Sequence, residues 1–149
     1  MRLSSLFTAL LVCVSMTSVA QNAADCAALT GFSLPGYQVE VTSAQWFDDR
    51  SLPGGFNGSG MELPPHCHVE GMIDRRIGVN DVEYGIGFAL NLPANWNGRF
   101  LFQGGGGLNG TIGEPVGAQV AGGRAAIQQG FAVVSNDTGP AHLSIAIAT

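Results

Sequence analysis

A short apolar run, Arg99 to Gln103 with Phe100-Leu101-Phe102 at its centre, passes without a spacer into four consecutive glycines, Gly104 to Gly107. A run of this length bounded by glycine suits a strand buried on both faces. A second such run, Phe131 to Ser135, follows after enough chain for one helix. Pro115 suits the first helical turn and Gly130 its C-terminal cap. Strand, glycine loop, helix and strand in that order make one β-α-β crossover, whose two strands must pair in parallel. The helix has only a patchy apolar stripe of Val116, Val120 and Ile127. Gly117, Gly122 and Gly123 each cost it about 1 kcal/mol against alanine, so it needs packing to hold it.

The preceding chain reads differently. Residues 21–36 are an irregular segment ending in the turn Pro35-Gly36. Tyr37 to Phe47 begins with a strand-like alternation of Tyr37, Val39 and Val41, and Asp48 to Pro65 is a loop rich in glycine, proline and asparagine. Cys67 to Ile73 is a second strand. Val82 to Leu92 is the clearest, with Tyr84, Ile86, Phe88, Leu90 and Leu92 on one face, and Pro93 to Asn97 turns the chain after it. Antiparallel strands first and a parallel crossover second predict an α/β fold.

The chain has 149 residues, of which 46% are hydrophobic, enough for the core of one domain. Six basic residues stand against eleven acidic ones for a net charge of −5; all six are arginine and none is lysine. Such a surface cannot grip phosphates, so a nucleic acid partner is not expected. Beyond the N-terminus no apolar run reaches the roughly 18 residues of a membrane span.

The N-terminus has the pattern of an export signal. Arg2 supplies the positive end, Leu3 to Val19 is apolar with small polar interruptions, and Ser18-Val19-Ala20 offers the small residues of a cleavage site. Residues 1–20 are therefore expected to be removed, leaving a secreted or periplasmic chain of residues 21–149 with no membrane attachment. Cys13 would leave with the signal. Cys26 and Cys67 then remain in an oxidising compartment, and one pair allows one bridge. A metal at His66-Cys67-His68 is not expected, because neighbouring strand residues point to opposite faces.

The glycine loop admits several readings. Gly105-Gly106-Gly107-Leu108-Asn109-Gly110 satisfies the dinucleotide pattern G-x-G-x-x-G. However, no convincing acidic residue sits at the end of a second strand to hold a ribose, and an exported chain rarely meets NAD. A P-loop is excluded, since no Gly-Lys-Ser/Thr follows. A plain tight turn is one remaining reading. The other is an oxyanion loop, in which residues without Cβ let a backbone N–H approach an ester closely.

Several segments together resemble one family. They are Leu63-Pro64-Pro65-His66-Cys67-His68-Val69-Glu70-Gly71 and Ile86-Gly87-Phe88-Ala89-Leu90-Asn91-Leu92-Pro93, and Trp96-Asn97-Gly98-Arg99-Phe100-Leu101-Phe102-Gln103 with the glycines and Leu108-Asn109-Gly110 that follow. The last is Gly130-Phe131-Ala132-Val133-Val134-Ser135-Asn136-Asp137-Thr138-Gly139. This series is similar to the tannase and feruloyl esterase family, secreted serine esterases with an α/β-hydrolase core. The resemblance covers most of residues 60–139. It implies the N-terminal part of an α/β-hydrolase sheet, hydrolysis of carboxylic esters of aromatic acids by an activated serine, and no cofactor. It makes Gly106 or Gly107 the candidate donor on one side of the oxyanion hole and likens a Cys26–Cys67 bridge to the family's N-terminal disulfides.

The implied Ser-Asp-His triad is not expected within these residues. The family's Cys-Ser-x-Gly-Gly elbow does not occur, and the nearest approach to G-x-S-x-G, Gly31-Phe32-Ser33-Leu34-Pro35, ends in proline. Ser135, Asp137 and His142 lie close together in sequence, but triad members are gathered from separate strand ends. After Thr138 the chain continues Gly139-Pro140-Ala141-His142, where relatives tend to have Gly-His, and Leu143 to Thr149 carries no family motif. A truncated or frame-shifted reading frame accounts for that tail; a natural short protein is the alternative. The expectation is an apparently incomplete catalytic domain, inactive alone. The rival from another class is a non-catalytic secreted β-rich binding module.

Overall fold

The computed structural model describes residues 22–53, 60–104, 110–118 and 123–138. The expected signal, residues 1–20, lies outside them. Their core element is a five-stranded sheet built from β1 (Val39–Phe47), β4 (His66–Ile77), β5 (Glu83–Pro93), β6 (Phe100–Gln103) and β7 (Ala132–Asn136), in the order β1-β4-β5-β7-β6. β2 (Arg50–Leu52) and β3 (Met61–Leu63) form a separate two-stranded ribbon. β1, β4, β5 and β7 pair antiparallel in succession, and β6 pairs with β7 in parallel. The order is that of antiparallel strands followed by one parallel crossover.

Register assigns the side chains to two faces. His68 lies opposite Asn91, Asn91 opposite Val133, and Leu101 and Gln103 opposite Val133 and Ser135. These residues share one face with His66 and Phe47. The other face carries Trp46, Cys67, Val69, Leu90 and Leu92, joined by a helix, α1 (Ala23–Ala28), through the disulfide Cys26–Cys67, with Cα atoms 5.5 Å apart. Asn22 caps α1, its Oδ1 accepting from the N–H groups of Ala24 and Asp25 at 2.9 and 3.0 Å. The expected irregular segment 21–36 thus contains one short capped helix. Its single buried residue is the cysteine that ties it down.

β1 contains a bulge between Val41 and Ser43. The extra residue shifts the period, so that Val41 and Ala44, three apart, pack on the same cluster. This is why the alternation seen from Tyr37 to Val41 does not continue to Phe47.

Two expectations are corrected. The crossover between β6 and β7 has no α-helix among its described residues. It has bends over 110–118 and a 3-10 turn, Ile127–Gln129, ending at Gly130 in the left-handed region (φ 82°). Gly117 is also left-handed, at φ 64°, and a Cβ there would lie 2.6 Å from the Ala126 Cβ and 2.7 Å from Leu101 Cδ2. A backbone so placed cannot be helical. Its compact turns still bury Val116, Ala125, Ala126 and Ile127 against Leu63 and Val133. Second, β6 is not buried on both faces. Among the described residues it is an edge strand, with Phe100 and Phe102 60% and 56% exposed, because α1 covers only the β1–β4 end of their face. Among the described residues no helix is long and apolar enough to cross a membrane.

Candidate functional site: the stems of the glycine loop

β6 and β7 run in parallel and their carboxyl ends lie side by side, with Gln103 opposite Ser135. In open α/β sheets this is where ligands meet the chain. The glycine run leaves from one of these ends and Asp137-Thr138 from the other. Gly106 and Gly107, the expected oxyanion donors, lie outside the described residues, as does His142. The stems on either side, Gln103-Gly104 and Gly110 to Gly117, are described.

Gln103 holds the returning stem with both ends of its amide. Its Nε2 donates to the Glu114 carbonyl at 3.0 Å, and its Oε1 accepts from the Gly117 N–H at 2.7 Å. Glu114 is fixed in turn by Arg50 of β2, whose Nη1 and Nη2 donate to its two carboxylate oxygens at 2.9 and 3.0 Å. Asn91, fully buried on β5, donates from Nδ2 to the Pro115 carbonyl at 3.1 Å and reaches a Glu114 oxygen at 3.5 Å. Its Oδ1 accepts from His68 Nδ1 at 2.6 Å. A polar row thus crosses one face of the sheet from His68 through Asn91 and Glu114 to Gln103.

His66 sits beneath this row, stacked on Phe47 at 5.5 Å between ring centroids. Arg50 covers the same ring at 5.1 Å. His66 Nδ1 donates to the Pro64 carbonyl at 2.7 Å, while its buried Nε2 finds no partner among the described residues. Burial holds this imidazole below the ordinary histidine range, and the positive charge of Arg50 and the neighbouring His68 add to the effect. Hydrogen bonding to Pro64 and the Glu114 carboxylate act the other way. Burial thus favours the neutral form of His66.

Ser135 and Asp137 are both buried. Asp137 is held by the backbone of β5: its Oδ1 accepts from the Gly87 N–H, and its own N–H donates to the Gly87 carbonyl, each at 3.1 Å. Thr138 follows in the left-handed region at φ 62°, a rare conformation for a β-branched residue. Among the described residues no serine hydroxyl is hydrogen-bonded to a histidine, and no group of three or more His, Cys, Asp or Glu is placed to hold a metal. His66 and His68 face the polar row, whereas Cys67 between them points away into the disulfide. What the described residues supply is a returning stem held by Gln103, Arg50 and Asn91.

In the sequence Gln103 and Asn91 lie inside the family-like segments with no role of their own to be read, and nothing marks Arg50 or Glu114. One local signal was available. Asn91 falls on the strand face otherwise occupied by Gly87 and Ala89, and a polar side chain there needs a buried partner.

The model of the family described as tannase and feruloyl esterase matches residues 67–145, just over half of the chain. The chain belongs to the tannase and feruloyl esterase family. The match begins at the disulfide cysteine of β4 and takes in every strand that frames the glycine loop. A mono(2-hydroxyethyl) terephthalate hydrolase of Piscinibacter sakaiensis is 37% identical over 107 residues, covering 70% of this chain and 17% of that protein. An uncharacterized esterase of Agrobacterium fabrum is 34% identical over 94 residues, covering 62% of this chain and 16% of the relative. The chain thus spans about a sixth of the length of these curated relatives. The crystal structure of an esterase from Aspergillus oryzae is similar in fold, with a TM-score of 0.55 and 24% identity over 80% of this chain and 23% of that one. The fold is accordingly part of an α/β-hydrolase-like sheet.

Proposed function

We propose that this chain supplies the first strands and the oxyanion loop of an exported serine-type ester hydrolase acting on esters of aromatic acids. The observation that carries the reading is the glycine run leaving the carboxyl end of β6 with its returning stem fixed by Gln103. Family membership and the terephthalate half-ester named for the Piscinibacter relative support ester chemistry and the aromatic acid class. The disulfide is compatible with an oxidising, secreted or periplasmic location.

In this mechanism an activated serine attacks the ester carbonyl, and backbone N–H groups of the glycine run, Gly106 or Gly107, receive the developing oxyanion. The serine, its histidine and its aspartate come from outside the described residues. Neither the buried Ser135 nor the backbone-bound Asp137 fills these roles.

Two preparations test the proposal. The purified 149-residue chain should not hydrolyse p-nitrophenyl acetate or methyl gallate above buffer. Joined to the C-terminal portion of a relative, it should hydrolyse them. In the joined enzyme Gly106→Pro or Gly107→Pro, which removes one N–H, should lower kcat by about 10²–10³-fold. Turnover by the chain alone that disappears with Ser135→Ala would refute the assignment. A joined protein that folds and binds aromatic acids without turnover would favour a binding module.

A further inference from the structure

We propose that His68 and Glu70 form a surface site for a divalent transition-metal ion of the class that imidazole binds, with His68 Nε2 and Glu70 Oε1 as its two protein ligands. The site lies on β4 and does not depend on the ester reading.

The buried amide of Asn91 decides which nitrogen of His68 carries hydrogen. The Pro115 carbonyl can only accept, so the Asn91 group 3.1 Å from it is the NH2. Asn91 Oδ1 is thereby turned to His68 Nδ1, 2.6 Å away, and an acceptor at that distance needs an N–H. His68 is therefore protonated on Nδ1, and in the neutral ring Nε2 bears a lone pair. An oxygen behind the ring that takes its other N–H is the usual companion of a metal-bound histidine.

Nε2 faces a carboxylate. Glu70 follows two residues on, on the same face of the strand, and its Oε1 stands 3.5 Å from Nε2. Two atoms that offer only lone pairs need a cation between them. A proton on Nε2 would draw the pair to about 2.7–2.9 Å, the length of a charge-assisted hydrogen bond. A tetrahedral ion with ligands at about 2.0–2.2 Å instead holds its donor atoms about 3.3–3.5 Å apart. The observed separation is the span of two ligands.

The carboxylate is oriented as the imidazole is. Ser43, opposite Glu70 on β1, donates from Oγ to Glu70 Oε2 at 3.3 Å, which leaves Oε1 for His68. Each ligand thus has its own partner behind it, Asn91 for the imidazole and Ser43 for the carboxylate. The His68 side chain is 14% exposed and that of Glu70 57%, so an ion with its waters can reach both. The net charge of −5 favours a cation. His66, on the same face, takes no part: its ring is fully buried and its Nδ1 is engaged by the Pro64 carbonyl. Two protein ligands leave the other tetrahedral positions to water, which makes this an exchangeable ion and not a structural one.

Nitrogen-15 spectra of the imidazoles in the full chain, disulfide intact, test the site with zinc as the probe. Without metal, at a pH where His68 is neutral, its hydrogen should sit on Nδ1. Zinc should shift His68 Nε2 saturably, whereas magnesium, which prefers oxygen ligands, should leave it unmoved. His66 should respond to neither. Glu70→Gln should weaken zinc binding by about tenfold or more, since even groups behind the ligands are worth that much. Competition for zinc between the chain and a coloured chelator needs no resolved spectrum, and there His68→Gln should remove one binding event. Hydrogen on Nε2 of neutral His68, no zinc response at His68 or an equal response to magnesium would each overturn the proposal. So would unchanged zinc affinity in Glu70→Gln, or an unchanged number of zinc ions bound in His68→Gln.

Discussion

Arg50 and Glu114, 64 residues apart, meet through two parallel hydrogen bonds of 2.9 and 3.0 Å. This pair joins the β2–β3 ribbon to the stem of the glycine loop. Both side chains are about a quarter to a third exposed, at 26% and 32%, so solvent screens part of the attraction. Arg50 also rests on Phe47. Arg50→Ala should therefore lower stability by about 1–2 kcal/mol, through the ion pair and the ring contact together. Arg50→Lys should recover only part, because an ammonium cannot reproduce the bidentate geometry. Urea midpoints at unchanged slope would measure both, and a lysine variant as stable as the parent would contradict the bidentate account.

Linking Cys26 to Cys67 closes a loop across a sequence separation of 41. In the chain-entropy model that stabilises by about 4 kcal/mol, a large share of a small domain's total. Non-reducing peptide mapping should recover the linked peptide. The double variant Cys26→Ala/Cys67→Ala should unfold at much lower denaturant. Two free thiols in material from an oxidising compartment are the opposing result.

His66 imposes a pH dependence. Its folded pKa is lowered, chiefly by burial, so the unfolded chain binds a proton more readily than the native one. Stability is then full above the unfolded value, about 6.5. It falls as pH drops below that value and levels off once pH is below the lowered folded value. His66→Phe retains a ring to stack on Phe47 and cannot titrate. The slope of stability against pH just below about 6.5 should be shallower in this variant; an identical slope would show that other groups govern the acid limb.

An edge strand bearing two exposed phenylalanines invites pairing with another chain. β6 presents Phe100 and Phe102 in this way. Sedimentation or light scattering should show the chain associating as concentration rises. Phe102→Lys should shift it towards the monomer, since a charge on an edge opposes strand addition. A parent chain that stays monomeric throughout, with a sharp thermal transition, would speak for a self-sufficient module.

The strands were legible in proportion to how locally they are determined. Tyr84 to Leu92 alternates with period two, and β5 follows it with the apolar set on one face. Which face is more deeply buried could not be read from the alternation. Gly87, Ala89, Asn91 and Pro93 are the buried ones, while Phe88, Leu90 and Leu92 are only half-covered. That outcome depends on where the crossover turns and α1 come to rest, which no local pattern encodes. The helix expected from Pro115 to Gly130 shows the same limit. Its proline and terminal glycine fitted a helix, yet Gly117 is used for its left-handed freedom, a property shared by every glycine and visible only in context. The glycine loop itself was conspicuous because four consecutive glycines are rare. Its supports, Arg50, Asn91, Gln103 and Glu114, come from β2, β5, the end of β6 and the returning stem, and nothing in their spacing brings them together.

β4 is tied on both of its surfaces by residues adjacent in sequence: Cys67 to α1 on one side, His68 to Asn91 of the polar row on the other. Moving the strand by one position against its neighbours would turn Cys67 toward Asn91 and carry two imidazoles beneath α1. The sulfurs could no longer meet. The bridge thus holds β4 to one alignment, since a strand slipped by one position would turn Cys67 away from the face on which α1 lies.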